Sequence, residues 1–142
     1  MPELRIGVLA VQGGFEAHLG MLRELGADAR EVRTPEDLRD LDGLVIPGGE
    51  STTIVKGIES IGLEAAIRAH HEAVFIRAPR VERYGAGVEV LASYDGRPVA
   101  VREGSVLACA FHPELTDDPR LHALFMAMTT SARCGVCEEA ER

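Results

Sequence analysis

The stretch LRIGVLAVQG, residues 4–13, decides the fold class: apart from Arg5 and Gln12 it is apolar, rich in branched side chains and closed by glycine. That composition is expected of a strand buried on both faces, which needs cover above and below. The cover follows at once. Phe15, Leu19, Leu22 and Leu25 recur at helical spacing, and Gly26 stands where a C-terminal cap belongs. ADAREVR (27–33) reads as a short second strand. TPED (34–37) opens a helix, with Thr34 as N-cap, Pro35 at the first helical position and Asp37 facing back towards the cap. LDGLVIPGGES (41–51) is a third strand over Leu44 to Ile46, ending in a glycine turn. From Ser51 to Glu72 the pattern supports helix, interrupted near Gly62. The order β-α-β-α-β-α predicts an α/β protein, a parallel sheet with helices on both faces.

The second half changes character. VFIRAP (74–79) and VEVLASYDGRPVAVREGSVLACAF (88–111) alternate apolar and polar residues, with turn signals at Asp95-Gly96 and Glu103-Gly104, and are expected to be antiparallel strands. A last helix is predicted from Arg120 to about Met128. The expected organisation is one domain over residues 1–130, with 131–142 as a loose tail.

At 142 residues the chain suits a single domain. Its 46% apolar and 27% charged residues are those of a folded globular protein, too apolar for a disordered one. A net charge of −8 opposes nucleic-acid binding, which depends on Lys and Arg neutralising phosphates. No stretch approaches the ~20 apolar residues of a membrane span, and the start lacks the features of a signal peptide. A cytoplasmic protein is expected. Three cysteines, Cys109, Cys134 and Cys137, make no disulfide framework, and CGVC (134–137) is half a zinc or redox motif with no completing pair. No metal and no cofactor is expected.

Two places could carry chemistry. In PGGES (47–51) a glycine turn opens a helix at the carboxyl edge of the sheet, where free backbone N–H groups can hold an anion or oxyanion. A plain strand-to-helix turn capped by Ser51 fits the same residues. In FHPEL (111–115), His112 and Glu114 would share one side of an extended segment, placing a carboxylate beside an imidazole as the base and orienter of a triad. A surface histidine before a proline is the competing reading. Cys109 cannot serve that pair, since three residues along a strand turn it to the opposite face about 10 Å away. Its apolar neighbours favour a packed core thiol. Arg77, in an apolar strand, calls for either a bound carboxylate or an internal salt bridge. Gln12 lies at the crevice edge, and His70 and His71 read as the solvated end of a helix.

Taken together, IGVLAVQGGFEAH, LDGLVIPGGESTT, VFIRAP and CAFHPELTDD closely resemble the glutaminase subunits of pyridoxal 5'-phosphate synthase, class I triad-type glutamine amidotransferases, over most of residues 4–128. The resemblance implies a flavodoxin-like three-layer fold, and hydrolysis of L-glutamine to glutamate and ammonia for vitamin B6 biosynthesis. It also implies delivery of the ammonia to a synthase (lyase) subunit in a hetero-oligomer. It makes His112 the base and Glu114 its orienter. Gly48, Gly49, Glu50 and Ser51 would line the glutamine and oxyanion site, with Ile76 and Arg77 in a second glutamine-contacting stretch. Gln12 would lie near the face that meets the synthase.

One departure is large. Members of this family carry a central strand ending in a GTCAG-like sequence, whose cysteine is the nucleophile, and several dozen further residues before FIRAP; here IRAHHE runs directly into AVFIRAP, so the chain is shortened near residues 71–74. The sheet should then show a gap or two unpaired edges unless AVFIRA takes the vacated place, and marginal stability is expected. Without its cysteine the chain should not turn over glutamine. The alternative function is a non-catalytic module that docks on the synthase or binds glutamine.

Overall fold

The computed structural model describes residues 3–10, 14–47, 73–76, 81 and 83–140. The strands are β1 (Arg5–Leu9), β2 (Asp28–Val32), β3 (Gly43–Ile46), β4 (Ala73–Ile76), β5 (Glu89–Tyr94), β6 (Arg97–Glu103) and β7 (Val106–Cys109). Helices α1 (Phe15–Glu24) and α2 (Arg120–Ala140) accompany them, with short 3-10 turns at Pro35–Leu38 and Pro113–Leu115. All seven strands join one sheet in the order β2-β1-β3-β4-β7-β6-β5.

The first half follows its sequence pattern closely. β1 pairs in parallel with β2 on one side and β3 on the other. α1 ends as the glycine predicted: Gly26 takes φ +89, Ala27 N–H donates to the Leu22 carbonyl and Gly26 N–H to that of Arg23, closing a Schellman motif. The helix opened by TPED is only one 3-10 turn, and Asp37 reaches back to the Thr34 backbone N–H at 2.8 Å. The helix expected over residues 51–72 lies outside the described residues.

Two expectations are corrected. The sequence pattern groups VFIRAP with the antiparallel strands, yet β4 (Ala73–Ile76) is parallel to both β3 and β7. Only β5, β6 and β7 form the antiparallel meander, its first turn made by Asp95 (φ 50) and Gly96 (φ 69). β4 therefore bridges the parallel and antiparallel halves, and the described strands form one sheet without a gap, with Ala73–Ile76 at its centre. The second correction concerns the tail. α2 runs on to Ala140, so most of 131–142 is helical rather than loose. No proline interrupts it, Thr129, Thr130 and Ser131 return their hydroxyls to carbonyls four residues back, and Arg133 lies 3.4 Å from the buried carboxylate of Asp42.

β1 and β3 are buried on both faces, as strands inside a covered sheet are. Ile6 and Val8 of β1 pack with Leu19 and Leu22 of α1 and Phe125 of α2 in one cluster, so the two described helices share a face. Leu9, Leu44 and Ile46 are equally inaccessible. Where α2 crosses β3 the chain has a glycine, Gly43, and a Cβ there would stand 2.9 Å from the Phe125 ring. That close approach sets the depth of α2, and with it the position of His122 one turn earlier.

Candidate active site

β7 carries the chain to the carboxyl edge of the parallel strands, and the 3-10 turn at Pro113–Leu115 follows. His112 is the N-cap of that turn (φ −107, ψ 82) and Glu114 lies inside it. The segment is not extended, so the i, i+2 alternation expected from the sequence is not what joins the two side chains. The turn does so instead: His112 Nδ1 donates to Glu114 Oε1 at 2.9 Å. With Nδ1 engaged, the proton-accepting nitrogen of neutral His112 is Nε2, on a ring that is 45% exposed. The carboxylate beside it is buried, at 3% side-chain exposure.

The start of α1 makes room for that carboxylate. A Cβ on Gly14, the N-cap of α1, would sit 3.3 Å from Glu114 Oε1, so glycine lets helix and carboxylate meet. The positive end of the α1 dipole then faces a buried anion.

Behind Glu114 stand two histidines that the sequence reading did not assign. His18 on α1 is completely buried, with Nε2 3.5 Å from Glu114 Oε2 and Nδ1 2.8 Å from Nε2 of His122 on α2. The rings are 5.0 Å apart and tilted by 43°. Burial pushes the His18 imidazole down to about 4 against the pull of Glu114, and burial also lowers His122. Both are neutral at pH 7, so the His18–Glu114 contact is an ion–dipole contact, too long for a full hydrogen bond. The signal was present in the sequence. His18 falls on the same helical stripe as Phe15, Leu19 and Leu22, and His122 on that of Phe125 and Thr129, so each histidine occupies a core position.

Cys109 is a core thiol. It is 6% exposed, its Sγ donates to the Phe111 carbonyl at 3.4 Å, and burial pushes it up to about 11. A thiol so held stays protonated and is a poor nucleophile. Cys134 is exposed on α2. Of the remaining predicted site residues, Gln12, Gly48, Gly49, Glu50, Ser51 and Arg77 lie outside the described residues. Ile76 ends β4 beside Cys109 of β7, at the same sheet edge as the His112–Glu114 pair. Among the described residues no cluster of His, Cys, Asp or Glu could hold a metal ion. No described helix is long and apolar enough to cross a membrane.

Comparison with known proteins places the chain in a family. The profile of the SNO glutamine amidotransferase family matches residues 8–72 and 64–131. The chain is 39% identical to the pyridoxal 5'-phosphate synthase subunit PdxT of Koribacter versatilis, covering 93% of this chain and 99% of that protein. It is 37% identical to the PdxT subunit of Thermus thermophilus, over 87% of this chain and 96% of that one. A crystal structure of a glutamine amidotransferase superposes with a TM-score of 0.83 at 33% identity, covering 88% of this chain and 98% of the other. The profile match breaks within residues 64–72, and the Koribacter alignment runs over 190 positions where this chain has 142 residues to offer. An internal segment of the family is absent, at the place where IRAHHE meets AVFIRAP.

Proposed function

The chain belongs to the SNO glutamine amidotransferase family, and from that premise we propose that it is a glutaminase subunit of pyridoxal 5'-phosphate synthase whose base and orienter are in place and whose nucleophile is missing. The observation that carries this reading is the 2.9 Å bond from His112 Nδ1 to buried Glu114, on a chain matched by PdxT subunits across nearly its whole length. In such a site His112 Nε2 takes the proton of a cysteine thiol, while Glu114 stabilises the imidazolium that forms. The thiolate attacks the glutamine carboxamide carbon, the imidazolium returns its proton to the amide nitrogen so that ammonia leaves, and water then hydrolyses the thioester to release glutamate and the thiol.

Gly48, Gly49, Glu50 and Ser51 are assigned to the glutamine and oxyanion pocket and Ile76 and Arg77 to the glutamine side, as the family resemblance implies. Gln12 is assigned to the synthase-facing side. The partner is the synthase subunit, L-glutamine is the substrate, and the compartment is the cytoplasm. Cys109 does not replace the lost nucleophile, because its thiol is committed to the Phe111 carbonyl and its proton is held by burial.

Ammonia release from glutamine, measured on the purified chain with a synthase subunit, tests the reading. No release above background is expected. Turnover that disappears in His112→Ala would overturn the inactive reading.

A second reading, a docking module without turnover, is favoured by two apolar side chains flanking the site, Phe111 at 39% and Leu115 at 73% exposure. It predicts that the chain co-purifies with the synthase subunit and that Leu115→Glu weakens this association.

A further inference from the structure

We propose that His18 and His122 are positioning residues: two neutral imidazoles, each protonated on Nε2, pass hydrogen-bond direction from α2 through α1 to Glu114 and so hold its other oxygen on His112. The proposal rests on reading His112 and Glu114 as base and orienter.

The tautomers follow from the contacts. Glu114 Oε2 faces His18 Nε2 at 3.5 Å in a site where both side chains are almost wholly buried. A bare nitrogen lone pair against a buried carboxylate oxygen would be repulsive, so the His18 proton sits on Nε2. His18 Nδ1 is then an acceptor. The atom 2.8 Å from it, His122 Nε2, must donate. His122 Nδ1 is left as a buried lone pair with no hydrogen-bond partner. The opposite ordering would leave a buried N–H donor unpaired at His122 and put two electron-rich atoms together at Glu114. Unpaired buried donors are the rarer and costlier defect.

The arrangement also explains why Glu114 needs help. Its Oε1 is bonded to His112, while Oε2 is buried without a full hydrogen bond. An anion so placed would rotate towards solvent unless something on its far side attracted it. His18 supplies that attraction from behind, with Gly14 clearing space in front. A carboxylate oriented from both sides fixes the Nδ1–H tautomer of His112 and keeps Nε2 free for a proton.

The test reads ring nitrogens by NMR on the 142-residue chain labelled with nitrogen-15 in histidine, near pH 7.5. Nε2–H signatures are expected for His18 and His122, and an Nδ1–H signature for His112. In His18→Met the Nδ1–H signature of His112 should be lost. In His18→Gln, whose side-chain amide can still donate to Glu114, it should be retained. A merely structural role predicts that Met and Gln disturb His112 alike. Unchanged His112 signals in folded His18→Met would overturn the proposal, as would Nδ1–H tautomers at His18 and His122 in the parent chain. If His18→Met does not fold, the parent tautomers and His122→Met decide alone, the latter expected to weaken the His112 signature. The readout is independent of glutamine and of the synthase. Failure of the functional reading would appear in the ammonia assay and leave these signals unmoved.

Discussion

Replacing Phe125 by alanine tests whether α2 is seated where the candidate site needs it. Phe125 is 1% exposed and its ring lies against the Cα of Gly43. Truncating a buried phenylalanine costs about 3–5 kcal/mol, from lost apolar transfer and the cavity left behind. Gly43→Ala approaches the same contact from the other side, since its Cβ would stand 2.9 Å from the Phe125 ring, 3.1 Å from Thr129 Oγ1 and 3.2 Å from Ile6 Cδ1. Overpacking of that kind costs about 1–3 kcal/mol. The lower unfolded-state entropy of alanine offsets about 0.4–1 kcal/mol of it.

The double variant decides the matter, because the new methyl group enters the space the ring vacated. Relief of the clash and recovery of about 0.8 kcal/mol for one buried methylene should make it no less stable than Phe125→Ala alone. The cycle should therefore show a favourable coupling of about 1–3 kcal/mol, within the range for residues in contact. Urea unfolding of the four proteins measures it. With m of about 1–3 kcal/mol/M, Phe125→Ala should lower the midpoint by roughly 2 M, and Phe125→Leu serves if the alanine variant is unfolded at the start. Additivity within about 0.5 kcal/mol would refute the packing of α2 on β3, and with it the depth at which His122 meets His18.

Acid should weaken the fold through the buried histidines. His18 is depressed to about 4 in the folded chain against 6.5 unfolded, so the unfolded state binds the extra proton between those values. The His18 contribution is therefore fully present above pH 6.5 and is lost as pH falls towards 4. Urea midpoints across this window should fall, and His18→Gln should flatten the slope; an unchanged slope would count against a neutral buried His18. Iodoacetamide on the native chain at pH 8, read by mass spectrometry, should modify exposed Cys134 well before Cys109, whose thiol is pushed up to about 11. Equal rates would contradict the core placement of Cys109. Asp42→Ala removes the carboxylate that meets the Arg5 backbone N–H at 2.8 Å and Arg133 at 3.4 Å, so hydrogen exchange should accelerate in the last turns of α2. Unchanged protection there would show that Arg133 does not anchor the helix.

Local chemistry made the first half legible, because each signal there names its own structure. Gly26 could only be a helix stop, and Asp37 could only serve the cap three residues before it. β4 was harder. AVFI has no feature that distinguishes a parallel central strand from a member of the meander, since direction is set by which strands it lies between. The end of α2 was misread for a related reason: the partner of Arg133 is Asp42, 91 residues away, and local composition cannot announce it.

The site divides along the same line. His112 and Glu114 were legible because they are two residues apart, although the turn that joins them is not the strand their spacing suggested. His18 and His122 were not, because they are 104 residues apart and each looks like an odd residue on an apolar stripe. Two such residues on two helices that share a face are a reason to ask whether they meet. In this chain they meet behind a carboxylate. On the proposed reading the nucleophile belongs to the segment absent at the junction, while α1, the Pro113–Leu115 turn and α2 all lie outside that junction. The His112–Glu114 pair and the two histidines behind it thus sit in parts of the fold outside the junction, which is why the proposed orienting role can be tested on the chain as it stands.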